Sequence, residues 1–153
     1  MTAQEAQAHN AGLGLLGFHH VAIIARNYDA SKAFYVDLLG FCIRRETYRQ
    51  DRDSYKLDLE LPNGDTIELF SFPDPPARGT NPEAAGLRHL AFTVTNVERD
   101  AAALREAGTA VEPIRIDPTT GARYTFFKDP DGLPLELYEV QSAYKSSSGC
   151  TQS

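Results

Sequence analysis

The chain has no tryptophan, only two cysteines, and no apolar run near the ~18 residues that a membrane-spanning helix requires. It also lacks an excess of basic residues, with a formal charge of −6. That charge argues against nucleic acid as a partner, because phosphate binding requires a basic face. Two cysteines make no disulfide framework, and the N-terminus lacks the charged-then-apolar pattern of a secretion signal. We therefore expect a cytoplasmic protein that binds a small molecule and does not act at a membrane.

What the chain does contain is a repeat, most visible around two histidines. Aligning Phe18–Ile23 with Leu87–Phe92 superimposes His20 on His89. The first segment is largely apolar and partly β-branched, and we predict that both segments are strands. The repeat therefore predicts two copies of one structural unit, each with an imidazole at the start of its first strand.

The repeat also contains a pair of carboxylates. Aligning Asn63–Phe70 with Asp131–Tyr138 superimposes Glu68 on Glu136. The histidine precedes the glutamate by 48 residues in the first copy and by 47 in the second. Two such copies, meeting face to face, would offer two imidazoles and two carboxylates to one metal ion.

Each copy has the pattern strand, helix and three strands, so we predict an α+β fold of two βαβββ modules. Asn27 and Asn96 are suited to cap the helices, and Gly40 and Gly108 to end them. The predicted strands cover 18–25, 41–48, 57–61, 66–72, 89–94, 110–116, 123–128 and 134–140. The chain then divides into a disordered lead-in at 1–14, one domain at 15–141 (module one 17–72, Pro-rich linker 73–86, module two 87–140) and a disordered tail at 142–153.

Strand alternation places the two histidines and two glutamates on one face and bulky apolar residues on the other. Two nearby side chains compete as ligands. His19 alternates to the face that packs under the helix, and Glu139 has no acidic counterpart, because Ser71 takes its place in the first copy. A simple exposed sheet face remains an alternative interpretation of both His–Glu pairs.

These segments resemble the vicinal oxygen chelate (VOC) superfamily, which has the glyoxalase/bleomycin resistance/dioxygenase fold. The superfamily includes glyoxalase I, methylmalonyl-CoA epimerase, extradiol dioxygenases, and the fosfomycin and bleomycin resistance proteins. The resemblance covers about Leu16 to Val140. It depends on the following motifs: His19-His20-Val21-Ala22-Ile23, Ala33-Phe34-Tyr35, Leu39-Gly40-Phe41, Ile67-Glu68-Leu69, Leu87 to Phe92, Asp129 to Gly132 and Leu135-Glu136-Leu137.

The resemblance implies a curved mixed sheet around one divalent metal ion (Ni, Zn, Co, Mn or Fe) and a homodimer. The implied metal ligands are His20, Glu68, His89 and Glu136. This set is similar to that of bacterial glyoxalase I, or lactoylglutathione lyase, in which a metal-bound enediolate forms. Glu136 is the expected catalytic base, with Glu68 as its near-symmetric partner.

The chain departs from glyoxalase I where that enzyme holds glutathione. The family's Arg and Asn are replaced by Ile24 and Phe72, which makes the expected substrate pocket more apolar. The alternatives are an epimerase or isomerase acting on an apolar or CoA-linked acid, and a non-enzymatic small-molecule-binding protein. Tyr138 is a further predicted substrate contact, and Arg123 or Lys128 another.

A basic stretch in the second predicted strand has two interpretations. It can hold an anionic substrate, or it can be a solvated edge strand whose charges resist pairing with another sheet. Its members are Arg44, Arg45, Arg49 and Arg52.

Overall fold

The structure is a computed structural model that describes residues 14–141. Apart from Gly14, the lead-in predicted at 1–14 and the tail predicted at 142–153 lie outside these residues. Within the described range, no helix is both long and apolar enough to cross a membrane.

Two four-stranded sheets form the framework, and each contains the strands of one predicted module. The strand order is β1-β4-β3-β2 in the first sheet and β5-β8-β7-β6 in the second, so the predicted pair of βαβββ modules is confirmed. The elements are β1 (Val21–Ala25), α1 (Tyr28–Ala33), a π-helical turn (Phe34–Leu38), β2 (Cys42–Arg49), β3 (Ser54–Glu60), β4 (Thr66–Ser71), β5 (Leu90–Val94), α2 (Val97–Glu106), β6 (Arg115–Ile116), β7 (Arg123–Lys128) and β8 (Pro134–Glu139).

Both helices begin at the predicted asparagines. The side-chain oxygen of Asn27 accepts a hydrogen bond from the Ala30 N–H at 3.0 Å, and that of Asn96 accepts one from the Arg99 N–H at 2.9 Å. Each bond satisfies an amide that has no partner within the helix. The first helix differs from the expectation of one continuous α-helix, because it changes to a π-helical turn at Phe34.

The strand predicted at 110–116 is reduced to the two residues of β6. Glu112 still pairs with β7, since its N–H donates to the Phe126 carbonyl at 2.9 Å. Pro113 follows and has no N–H to continue the ladder, so the regular strand resumes only at Arg115.

Cys42 begins β2 and is half-buried. It is not a free thiol in the structure.

The two modules share one hydrophobic core, which contains buried side chains from both sheets and from the helices. Phe41 of module one contacts Phe92 of module two edge to face, with ring centroids 5.8 Å apart. A polar link crosses the same boundary: the wholly buried Tyr35 hydroxyl donates to Asp129 Oδ2 at 2.9 Å. Burial raises the pKa of both groups.

Candidate metal site

In module one, parallel pairing of β1 with β4 brings His20 and Glu68 together. Ala22 is the register partner of Glu68, and His20 lies two residues earlier on the same face. The His20 Nε2 atom is 3.5 Å from Glu68 Oε2. His20 and Glu68 therefore lie on the same face of the sheet, as expected. The residues on either side of Glu68, Ile67 and Leu69, are buried on the other face.

A lysine that the sequence analysis did not identify completes this half of the site. Lys56 of β3 places its Nζ 2.7 Å from Glu68 Oε1 and 2.8 Å from Asp58 Oδ1. The Asp58 and Glu68 carboxylates together raise the pKa of Lys56. Desolvation opposes ionisation of Asp58, but Lys56 and Arg45 outweigh it and lower the pKa of that carboxyl group. Because Lys56 holds Oε1, the other oxygen of Glu68 faces His20.

In module two, β5 and β8 repeat the arrangement. Ala91 is the register partner of Glu136, and the His89 Nε2 atom is 3.1 Å from Glu136 Oε2. The cross-strand neighbour of Glu136 is Phe126, whose ring contacts the His89 ring edge to face at 5.1 Å. The Glu136 side chain is 11% exposed, and His89 is its only polar partner within residues 14–141.

The two pairs do not converge within one chain. In the part of the chain that the structure describes, no group of three or more His, Cys, Asp or Glu side chains is arranged to hold a metal ion. Each module therefore presents half of the predicted donor set, one imidazole nitrogen and one carboxylate oxygen. These donors suit a divalent first-row ion, and both histidines keep about a third of their side-chain surface exposed.

His19 takes a different position from the one expected. It is exposed instead of packed under the helix. Its Nδ1 lies 2.9 Å from His20 Nδ1, so one of the two rings donates a hydrogen bond to the other. This hydrogen bond orients the His20 ring. Strand alternation missed it, because the regular pairing of β1 begins only at Val21.

Three predicted substrate contacts lie on the face of the His–Glu pairs. Ile24 is 53% exposed, and Phe72 stacks on Phe70 with ring centroids 6.1 Å apart. The Tyr138 hydroxyl donates to Asp117 Oδ2 at 2.9 Å and also contacts Thr120. Tyr138 therefore ties the loop after β6 to the strand that carries Glu136.

Arg123, the fourth predicted contact, lies on the opposite face of the second sheet from Glu136. Its guanidinium contacts Glu139 at 2.9 and 3.0 Å and Glu98 of α2 at 2.6 Å. Glu139 also accepts from the Val97 N–H at the start of α2. The structure thus places Arg123 and Glu139 where they fasten α2 to the sheet.

A cavity of about 290 Å³ opens beside His89 and is bordered by Lys128 and Phe126. A larger, mainly apolar groove of about 620 Å³ runs along β5, between Ala91–Thr95 and the turn at Leu61–Asp65. Since β5 is an edge strand of its sheet, this groove borders unpaired backbone.

Paired βαβββ modules, each with a His–Glu pair in matching register, define a protein of the duplicated-module class. The chain belongs to the Glyoxalase/Bleomycin resistance protein/Dioxygenase superfamily, whose profile matches residues 17–137. The family expected from the sequence is therefore confirmed.

Several relatives extend over most of the chain. This chain is 62% identical over 125 residues to the uncharacterized protein YwkD of Bacillus subtilis, and the match covers 82% of this chain and 98% of that protein. The structure of a glyoxalase family protein from Enterococcus faecalis matches with 52% identity and a TM-score of 0.75, covering 80% and 97% of the two chains. A 2-epi-5-epi-valiolone epimerase from Actinomyces is 29% identical over 148 residues, covering 83% and 81%.

Proposed function

We propose that the protein is a metal-dependent lyase of the glyoxalase I type that acts through an enediolate. The observation that supports this most is the recurrence of one His–Glu contact, at the same register position, in both sheets. The proposed ligands are His20, Glu68, His89 and Glu136, with one divalent ion per site. A divalent ion at such a site stabilises the negative charge that develops when a proton leaves the carbon next to a carbonyl.

Each site is proposed to form between two copies of the chain, which makes the protein a homodimer. Neither pair alone has enough donors for a catalytic metal site, and the described residues bring no third ligand to either. The strands beside both pairs, β1 and β5, are sheet edges. Phe18 next to His20 is fully exposed, and Ile24 is 53% exposed. Large apolar side chains along an unpaired edge favour burial against a second copy.

Glu136 is the proposed base that takes the proton from substrate carbon. Its carboxylate contacts only His89 among the described polar groups, so it can turn toward the substrate. Glu68 is held through one oxygen by Lys56 at 2.7 Å and is better suited to remain in place. Phe126 and the limited exposure of Glu136 keep water from the carboxylate, which preserves its use as a base.

A second candidate is an epimerase or isomerase on an apolar or CoA-linked acid. The apolar side chains at Ile24 and Phe72 favour it, and so does the similarity to the Actinomyces epimerase. Proton removal next to a carbonyl is common to both reactions, so the same residues would serve. The two candidates differ in what the pocket binds, not in how Glu136 acts.

The test has two stages. Metal analysis of protein purified without a tag is expected to find about one divalent ion per chain, since a symmetric dimer would have two sites. The metal-loaded protein is then assayed with methylglyoxal and glutathione, and separately for epimerisation of acyl-CoA substrates. Absence of hemithioacetal turnover with Ni, Co and Zn each restored would reject the lyase. Absence of every turnover despite tight small-molecule binding would favour a non-enzymatic binding protein.

A further inference from the structure

Arg49, at the end of β2, extends over two aromatic rings on the face that carries Glu68. Its Cζ atom is 4.8 Å from the centroid of Phe70 and 5.6 Å from that of Phe72. The residue opposite it on β3 is Ser54, which is small and wholly buried, and Arg49 Nη2 donates to its hydroxyl at 2.8 Å. Because Ser54 leaves room, the guanidinium crosses β3 and reaches β4.

The charge of Arg49 is not balanced by a carboxylate. Within residues 14–141, no acidic side chain forms an ion pair with it, and its Nε atom is buried without a hydrogen-bond partner. Its neighbours Arg44 and Arg45 are paired with acidic residues of β3. A half-buried guanidinium with an unused donor is costly unless an anion completes it.

The second module contains a similar arginine whose charge, unlike that of Arg49, is paired with a carboxylate. Arg115 lies over Tyr124 and Phe126, with its Cζ 5.5 and 5.6 Å from the ring centroids. It is also in an ion pair with Glu112. Arg115 is therefore already neutralised, whereas Arg49 has the same aromatic support and capacity for one more anion.

We propose that Arg49 binds an anionic group of the substrate, a carboxylate or a phosphate, at the end of the pocket away from the metal. Phe70 lies two residues, roughly 7 Å, along β4 from Glu68, so the guanidinium over its ring lies farther along the same face than the proposed ligand. The substrate would then carry its negative charge a few bonds from the reacting carbonyl, with Phe72 and Ile24 against the segment between. That this anion belongs to the substrate depends on the proposed function, but anion binding by Arg49 does not.

The first experiment uses metal-free protein and follows the arginine Nε–H signals by NMR during titration with inorganic phosphate and, separately, acetate. We expect a saturable shift of the Arg49 signal. Arg49→Met should lower the affinity about 10- to 100-fold, the usual range for loss of a charge-assisted hydrogen bond. Arg115→Met is the matched control and should leave the affinity unchanged. An unmoved Arg49 signal in the unmodified protein would overturn the proposal without relying on the fold of any variant.

The second experiment uses metal-loaded protein and three 2-oxo acids of similar chain length. 2-Oxoglutarate has a distal carboxylate, 2-oxo-4-phosphonobutyrate a distal phosphonate, and 2-oxopentanoate no distal charge. We expect one of the charged acids to bind about tenfold more tightly than 2-oxopentanoate, and Arg49→Met to remove that difference; the tighter acid identifies the anion. Equal binding of all three would overturn the assignment to substrate. Since metal content is measured separately, loss of the metal site would be recognised as failure of the proposed function.

Discussion

The two modules have the same His–Glu pair in opposite surroundings. Around Glu68 the cross-strand neighbour is the charged Asp58, and Lys56 connects both carboxylates. Around Glu136 the corresponding neighbour is the ring of Phe126. The fold therefore sets the position of each pair, while the adjacent strand sets how freely the carboxylate moves. Under the proposed function, this difference favours Glu68 of module one as the anchored ligand and Glu136 of module two as the group that takes the proton.

The sharpest way to break this assignment is to replace each glutamate in turn. Glu136→Gln should lower kcat by about 10²–10⁴-fold, because the amide cannot accept the proton. Glu68→Gln should lower it less, since the amide oxygen can still act as a ligand. The measurements are turnover of the metal-loaded protein on whichever substrate the assays identify, with metal content determined in parallel. Equal losses for both variants at equal metal content would show that the two carboxylates share the role.

The two modules are expected to unfold together, because they share one core and the Tyr35–Asp129 hydrogen bond crosses their boundary. Tyr35→Phe leaves the buried Asp129 carboxylate short of one donor, so we expect a loss of about 1–3 kcal/mol in the free energy of unfolding. Urea unfolding measures it. The control is Tyr28→Phe, which removes a more exposed tyrosine hydroxyl bonded to Glu46 and should cost less. Two separate transitions in either protein would contradict a shared core.

Lys56 is the residue that most distinguishes the two halves of the site. Lys56→Met should lower metal affinity about tenfold, because outer partners hold ligating carboxylates in orientation. Isothermal titration with Zn²⁺ or Ni²⁺ measures the change. Lys32→Met, which breaks the ion pair with Glu46 away from the site, is the matched control and should have no effect. Tighter metal binding in Lys56→Met would mean that Lys56 competes with the ion instead of orienting Glu68.

The smallest expected effect is on the pH dependence of stability. Hydrogen bonds from Lys32 and Tyr28 lower the pKa of Glu46 in the folded protein. Its stabilising contribution is therefore present above the ordinary pKa of a glutamate and is lost as pH falls through the lowered value. For Asp129, stability changes with pH in the opposite direction. Burial raises its pKa, so its stabilising contribution is lost as pH rises through the raised value. Urea unfolding between pH 3 and 7 should show a shallower acid slope in Glu46→Gln and a steeper one in Asp129→Asn.

Much of the fold was predictable because the local signals agreed with one another. The Asn27 and Asn96 caps and the strand 123–128 lie where the sequence places them. The repeat also identified both His–Glu contacts, since matching register follows from matching spacing. Prediction was wrong where one residue overrides a pattern, as Pro113 does before β6. It also missed Lys56, because the strand predicted at 57–61 began one residue after it, whereas β3 covers Ser54–Glu60.

The two His–Glu pairs do not converge within one chain, and this has a consequence for mixtures of variant chains. If each site is assembled from two copies, a mixture of Glu68→Gln and Glu136→Gln chains would form hybrid pairs with one doubly altered centre and one fully wild-type centre. When the two impaired preparations are unfolded and renatured together, up to about a quarter of the centres would then be fully wild type, because half of the randomly formed pairs are hybrids, and turnover would rise above the mean of the two separate preparations. A centre contained in one chain would recover nothing.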